Sequence, residues 1–159
     1  MGHFEIERKF LIDGFPTEWA PVEEATVWQG YLATDPVVRI RKKAIGDTCS
    51  YRLCFKGQGT LVRREIELPL DEDTYSELCE LLPTPPVCKV YKVYTLPDGH
   101  RLECSLVDPD TPTSFYYAEV EFSSREAADA FNPPDFLGRE VTEQPGYTMA
   151  EYWKYKKLG

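Results

Sequence analysis

Eight segments of this chain alternate polar and apolar residues with a period of two, and within them the charges keep largely to one parity. Period two is the geometry of a β-strand, whose successive side chains point to opposite faces. The segments are residues 3–12, 25–33, 37–43, 50–56, 61–68, 87–96, 100–107 and 115–122. Asp98-Gly99 is a hairpin signal between the sixth and seventh, and Gly46-Asp47 and Gly57-Gln58-Gly59 carry turn chemistry. Three helices are expected as well. Asp71 caps a helix with Tyr75, Leu78, Cys79 and Leu82 on one face and Pro83 as its stop. Ser123-x-x-Glu126 reads as a capping box for a short helix ending at Asn132-Pro133, and Thr148-x-x-Glu151 opens a C-terminal one bearing Met149, Tyr152, Trp153 and Lys156. Eight strands to three helices predict a mainly antiparallel β fold with peripheral helices (α+β). At 159 residues the length suits a single domain over 1–159.

One parity carries Glu5, Glu7 and Lys9, then Arg39, Arg41 and Lys43, Arg52 and Lys56, and Arg63, Glu65 and Glu67. It continues through Lys89, Arg101, Glu103, Glu119 and Glu121, and also holds Gln29 and Tyr31. The other parity carries Phe4, Ile6, Phe10, Val38, Ile40, Leu53, Phe55, Ile66, Leu68, Leu102, Leu106, Val120 and Phe122. Two architectures fit. In the first, one sheet face packs on a core and the charged face meets water. In the second, the sheet closes and the charged parity points inward, since eight strands can form a closed or nearly closed barrel with a narrow lumen.

The remaining composition excludes several classes. Eighteen Lys and Arg against 27 Asp and Glu give a net charge of −9, which disfavours a nucleic-acid binder. No run approaches the ~20 apolar residues of a membrane span, and the charged N-terminus does not read as a signal peptide. The cysteines 49, 54, 79, 88 and 104 are odd in number, lack a C-x-x-C pair, and read as buried reduced thiols of a cytoplasmic protein. With only His3 and His100, a histidine zinc site or a Ser-His-Asp triad is disfavoured. Trp19, Trp28, Trp153 and Tyr116-Tyr117 read as packing residues, and the C-terminal helix either plugs the barrel or packs on its wall.

An inward-facing set of cations costs much desolvation energy unless an anion fills the lumen. Arg forks and Lys ammonium groups suit a phosphate chain. The carboxylates call for hard divalent ions, Mg²⁺ or Mn²⁺, which bridge protein oxygens to phosphates. Cations for phosphate and carboxylates for metal are the parts of phosphoryl transfer.

The motifs have a familiar order. Glu5-Ile6-Glu7-Arg8-Lys9 resembles the N-terminal E-x-E-x-K signature of the CYTH superfamily, the triphosphate tunnel metalloenzymes. Gln29-Gly30-Tyr31-Leu32, Val38-Arg39-Ile40-Arg41, Phe55-Lys56-Gly57, Arg63-x-Glu65-x-Glu67, Lys89, Ala118-Glu119-Val120-Glu121 and Glu140-Val141-Thr142 follow in the family's order. The resemblance implies an eight-stranded tunnel and a small triphosphate-containing substrate. It casts Glu5, Glu7, Glu119 and Glu121 as metal ligands, and Lys9, Arg39, Arg41, Lys56, Arg63 and Lys89 as phosphate binders. Glu65, Glu67 and Glu103 would hold a second metal, orient the cations or position water, placing them with Glu5 and Glu7 among the catalytic residues. The expected activity is metal-dependent hydrolysis of inorganic tripolyphosphate or of a nucleoside or thiamine triphosphate, with release of orthophosphate. Adenylyl cyclase chemistry and a non-catalytic polyphosphate-binding module are the alternatives. Either a monomer or a homodimer is compatible.

Three positions depart from the family pattern. Tyr91 stands where K-x-R has its Arg, Ser105 where E-x-D has its Asp, and Met149 where Tyr-x-Asn has its Asn. Loss of one cation with one carboxylate keeps the charge balanced, or else redirects or weakens catalysis.

Overall fold

The computed structural model of the chain describes residues 3–158. Its strands are β1 (Phe4–Leu11), β2 (Glu23–Thr34), β3 (Val37–Ile45), β4 (Thr48–Lys56), β5 (Val62–Leu70), β6 (Val87–Thr95), β7 (Arg101–Val107) and β8 (Phe115–Glu121). The helices are α1 (Glu72–Cys79), α2 (Arg125–Ala130) and α3 (Met149–Leu158). All the expected strands form, with ends shifted by a few residues. They close into an antiparallel barrel in the order β1-β5-β4-β3-β2-β6-β7-β8, so the closed reading holds. No helix of the described residues is long and apolar enough to cross a membrane.

Closure is completed around β1. Its first half pairs with β5 through Phe4↔Arg64, Glu5↔Arg63 and Ile6↔Val62 only, whereas its second half pairs with β8 from Glu7↔Glu121 to Leu11↔Tyr117. The edge that β5 leaves is taken by residues 138–142. Gly138 N–H donates to the Leu11 carbonyl, Leu11 N–H to that of Arg139, and Val141 N–H to that of Lys9 at 2.8 Å. Arg8, the one charge of β1 on the outward parity, secures this seam. Its guanidinium bonds both oxygens of Glu140 at 2.8 and 2.6 Å and the carbonyls of Ala128 and Phe131.

The barrel is apolar on its outside. Phe10, Leu102, Ala118, Val120 and Phe122 form a buried layer under Phe131, Leu137 and α2. Ser124, one residue beyond the expected Ser123, caps α2 by accepting from Ala127 N–H at 3.0 Å. The delay has a cause: Phe122 N–H still pairs with the Ile6 carbonyl, so the chain leaves the sheet later than the motif suggests. Asp71 caps α1 as expected, and Tyr75 packs on Tyr51 of β4 at 5.1 Å between ring centroids. Phe4, Ile66 and Leu68 stay exposed on the uncovered wall of β1 and β5. All five cysteines are free; Cys54 and Cys104 are buried, but Cys49 is exposed, unlike the expectation.

The inward parity is not charged throughout. Ala25, Val27, Tyr91 and Val93 make an apolar stretch of the inner wall. At one end, Met149 and Trp153 of α3 pack on Tyr31, Val37, Val87, Val107 and Tyr117, so α3 plugs the barrel. Thr148 caps it, and Asp108 anchors it by accepting from the Tyr152 hydroxyl at 2.6 Å and the Lys156 ammonium at 3.2 Å. Trp153 is 2% exposed. Trp153→Ala is therefore expected to lower unfolding free energy by about 3–5 kcal/mol in urea titration. A loss below ~1 kcal/mol would mean that α3 is not seated as described.

Candidate active site

A cavity of about 370 Å³ lies inside the barrel. Every residue selected from the sequence lines it: Glu5, Glu7 and Lys9 from β1, Arg39 and Arg41 from β3, Lys56 from β4, Arg63, Glu65 and Glu67 from β5, Lys89 from β6, Glu103 from β7, and Glu119 and Glu121 from β8. One rule brings them together: each lies on the inward parity of its strand, and the antiparallel register carries that parity around the barrel. Arg52 has the same parity but lies beyond the cavity, in a shallow groove with Asp71 and Glu72.

The acids and bases form local groups. The Lys56 ammonium donates to both oxygens of Glu5, at 3.0 and 2.9 Å, and lies 3.7 Å from Glu65. Burial and Arg39 work against its charge, but Glu5, Glu7 and Glu119 outweigh them and hold it above the usual lysine range. Glu7 and Glu119 are hydrogen-bonded together. Burial first, then the Glu119 charge, raises Glu7 well above the carboxyl range. Burial opposes the Glu119 charge, yet the bond from Glu7 and the Lys9 ammonium hold it low.

A second such pair lies nearer the rim. Glu121 is pushed up to about 8, chiefly by its hydrogen bond with Glu103 and then by burial. Burial disfavours the Glu103 carboxylate, but hydrogen bonds from Glu121 and Tyr91 and the Arg101 charge keep it low. The Tyr91 hydroxyl donates to Glu103 at 2.5 Å. Cys54, Glu65 and Glu67 can also bring three ligand atoms within 4.8 Å of one another.

The cations are less well matched. Arg63 Nε donates to the Gly57 carbonyl at 3.1 Å. The Lys9 ammonium donates to the Tyr147 carbonyl at 2.5 Å and sits 4.2 Å from the centroid of the Tyr117 ring. Lys89, 6% exposed, donates to the Tyr117 hydroxyl at 2.9 Å. Burial pushes Lys89 down to about 7; Glu119 offers partial relief, while Arg39, Arg41 and Lys9 push the same way. Arg39 Nε, Arg41 Nε and Gln29 Oε1 are buried without a hydrogen-bond partner among the described residues. Buried polar atoms are normally satisfied, and unmatched guanidinium donors facing a lumen fit an anionic guest.

Some lining residues escaped the sequence reading. Tyr117, expected to be packing, stands between Lys9 and Lys89, whereas its neighbour Tyr116 does pack outside, on Phe15. Parity distinguishes the two. Thr142, named within the Glu140-Val141-Thr142 motif but given no role there, lines the cavity and accepts the Lys9 backbone N–H at 2.9 Å. Glu151 and Lys154 reach it from the plug, for which strand parity offers no signal. The departures also acquire a geometry. Tyr91 and Ser105 are direct cross-strand partners, so the two changes occur at one place on the wall. Met149 belongs to the plug.

Lys89 has a consequence for stability. Its pKa is lower in the fold than in the unfolded chain, so the unfolded state binds more protons between about pH 7 and 10, and stability rises with pH there. Lys89→Met is expected to stabilise the protein at pH 7 and to flatten that rise, read as melting temperature against pH for both proteins. An unchanged slope would show that Lys89 stays charged throughout.

Known proteins share this frame. No family model matches the chain. The inorganic triphosphatase of Nitrosomonas europaea is 34% identical over 143 residues, covering 90% of this chain and 92% of the relative. That of Acetivibrio thermocellus is 29% identical over 147 residues, covering 90% and 88%. The crystal structure of the inorganic triphosphatase NE1496 superposes with a TM-score of 0.63 at 31% identity, covering 93% of both chains.

Proposed function

Because the chain belongs to the CYTH superfamily alongside the inorganic triphosphatases, we propose that it hydrolyses inorganic triphosphate in this tunnel, releasing orthophosphate and pyrophosphate. The observation that carries the reading is the lumen, where six cations chosen from the sequence face seven carboxylates: Glu5, Glu7, Glu65, Glu67, Glu103, Glu119 and Glu121. Arg39, Arg41 and Lys89 hold phosphate oxygens with donors that the protein leaves largely unmatched. Lys9, Lys56 and Arg63, which are anchored to the wall, add charge along the chain of phosphates.

The acidic side fits a hard divalent cation. Glu7 and Glu119 offer only oxygen donors, and burial beside a second carboxyl disfavours the Glu7 charge, a cost that a cation would relieve. Glu5, Glu7, Glu119 and Glu121 would hold Mg²⁺ or Mn²⁺, which when bound supplies positive charge against that developing on the phosphoryl group. Glu65, 3.7 Å from Lys56, keeps that ammonium oriented, and Glu67 and Glu103 extend the acidic wall that positions water. The water oxygen attacks the terminal phosphorus as the bridging P–O bond breaks in line, and its proton passes to a carboxylate of that wall. No covalent nucleophile enters this scheme. A cytoplasmic protein with no nucleic-acid or membrane partner belongs to the same reading, and the net charge of −9 supports its nucleic-acid part.

Phosphate release from tripolyphosphate, ATP and thiamine triphosphate, with Mg²⁺, Mn²⁺ or chelator, tests it. Turnover is expected to be fastest with tripolyphosphate, to require the metal, and to fall at least ~1,000-fold in Glu5→Ala and Glu7→Ala, as loss of a principal charge stabiliser does. Full activity in both variants would overturn the metal assignment, and cyclic AMP as the product would replace hydrolysis by cyclisation.

A further inference from the structure

We propose that Arg101 is a substrate-holding residue, set by Tyr91 so that its guanidinium serves the stretch of tunnel wall that Tyr91 and Ser105 leave uncharged; this rests on the proposed triphosphate substrate. On β6 the inward residue after Lys89 is Tyr91, whose phenol is raised far above its ordinary pKa by burial and Glu103 and so stays neutral. Its cross-strand partner Ser105 carries no charge either. Lys92 does not fill the place, for it turns outward to Glu24 at 3.5 Å and to the Phe15 ring.

Arg101 has the inward parity of β7, four residues from Ser105, and lines the cavity near its rim with its side chain 44% exposed. Its register partner is Thr95, so its backbone lies well away from Tyr91. The side chain nonetheless reaches back. Nη2 donates to the Tyr91 hydroxyl oxygen at 3.4 Å, and Nε lies 3.3 Å from Glu103 and 3.9 Å from Glu121. Tyr91 makes this possible: its proton goes to Glu103, leaving its oxygen to accept from Arg101. Phenol and carboxylate together bracket one guanidinium. Nη1 makes no hydrogen bond among the described residues and is left free to donate to a phosphate oxygen. A merely structural rim ion pair would contribute little.

The test compares wild type, Arg101→Gln, Arg101→Lys and the double variant Tyr91→Arg/Arg101→Gln. Calorimetry gives Kd for tripolyphosphate without metal, and steady-state assays give KM and kcat. Arg101→Gln is expected to raise Kd and KM by about tenfold or more, the usual effect of losing a charged hydrogen bond, with kcat changed far less. Lysine should recover part of the loss, and an arginine placed at 91 most of it. Unchanged Kd and KM in Arg101→Gln overturn the inference, as does a double variant no better than the single one. If wild type binds tripolyphosphate without hydrolysing it, the proposed function fails while Kd still reads Arg101. If it does not bind at all, both fall. Should Arg101→Gln fail to fold, by circular dichroism, Arg101→Lys against wild type decides through the same constants: an unchanged Kd and KM there overturn the inference.

Discussion

The whole architecture depends on keeping unneutralised charge in a confined space. Arg39 and Lys89 are 8% and 6% exposed, and among the described residues no carboxylate is hydrogen-bonded to either. An ordinary sheet would turn such residues to water or pair each with an acid. Lys56 with Glu5 and Arg101 with Glu103 are matched, but much of the remaining charge clusters by kind. Glu7 pairs with Glu119 and Glu121 with Glu103, whereas Lys89 faces Arg39, Arg41 and Lys9. Separation of this sort costs stability and leaves the lumen poised to gain from an anion on one side and a cation on the other.

The apolar parts follow from that constraint. With the lumen given to charge, burial has to be found outside and at the plug. Phe10, Leu102, Val120 and Phe122 therefore face outward beneath α2, and Trp153 seals one end over Tyr31. Arg8 shows how closely shell and lumen are linked. Standing between Glu7 and Lys9 but pointing outward, it fastens residues 138–142 to β1 through Glu140, and that same segment supplies Thr142 to the Lys9 backbone.

Parity made most of the site legible. Once Glu5, Glu7 and Lys9 share a face with Arg39, Arg41 and Lys56, closure alone brings them together, because antiparallel pairing preserves which side is inward. What parity does not encode is choice between closing and staying open, since a solvated sheet has the same alternation. The motif order, a resemblance and not a derivation, separated the two. Parity is also silent where the chain is not a strand. The carbonyl of Tyr147 that receives the Lys9 ammonium, the 138–142 seam and the plug residues Glu151 and Lys154 come from segments placed by tertiary contacts. Tyr117 alternates with Glu119 and so has the inward parity, but an aromatic in a strand is so often a packing residue that parity alone does not mark it as a lining one.

Tyr91 and Ser105 illustrate how a tunnel wall tolerates change. Two positions that diverge from the family pattern far apart in the chain are adjacent in space, so their combined effect is one uncharged patch and not two separate lesions. A strand offers another inward position every second residue, about 6.8 Å along the wall. Arg101 uses such a position, four residues from Ser105, and has the length to lean back over the patch. With an aliphatic residue at 91 the same side chain would lose the acceptor of its Nη2 and keep only the carboxylates on Nε. The phenol is thus a replacement suited to an arginine arriving from the neighbouring strand: neutral enough to remove the cation, and polar enough to hold its successor.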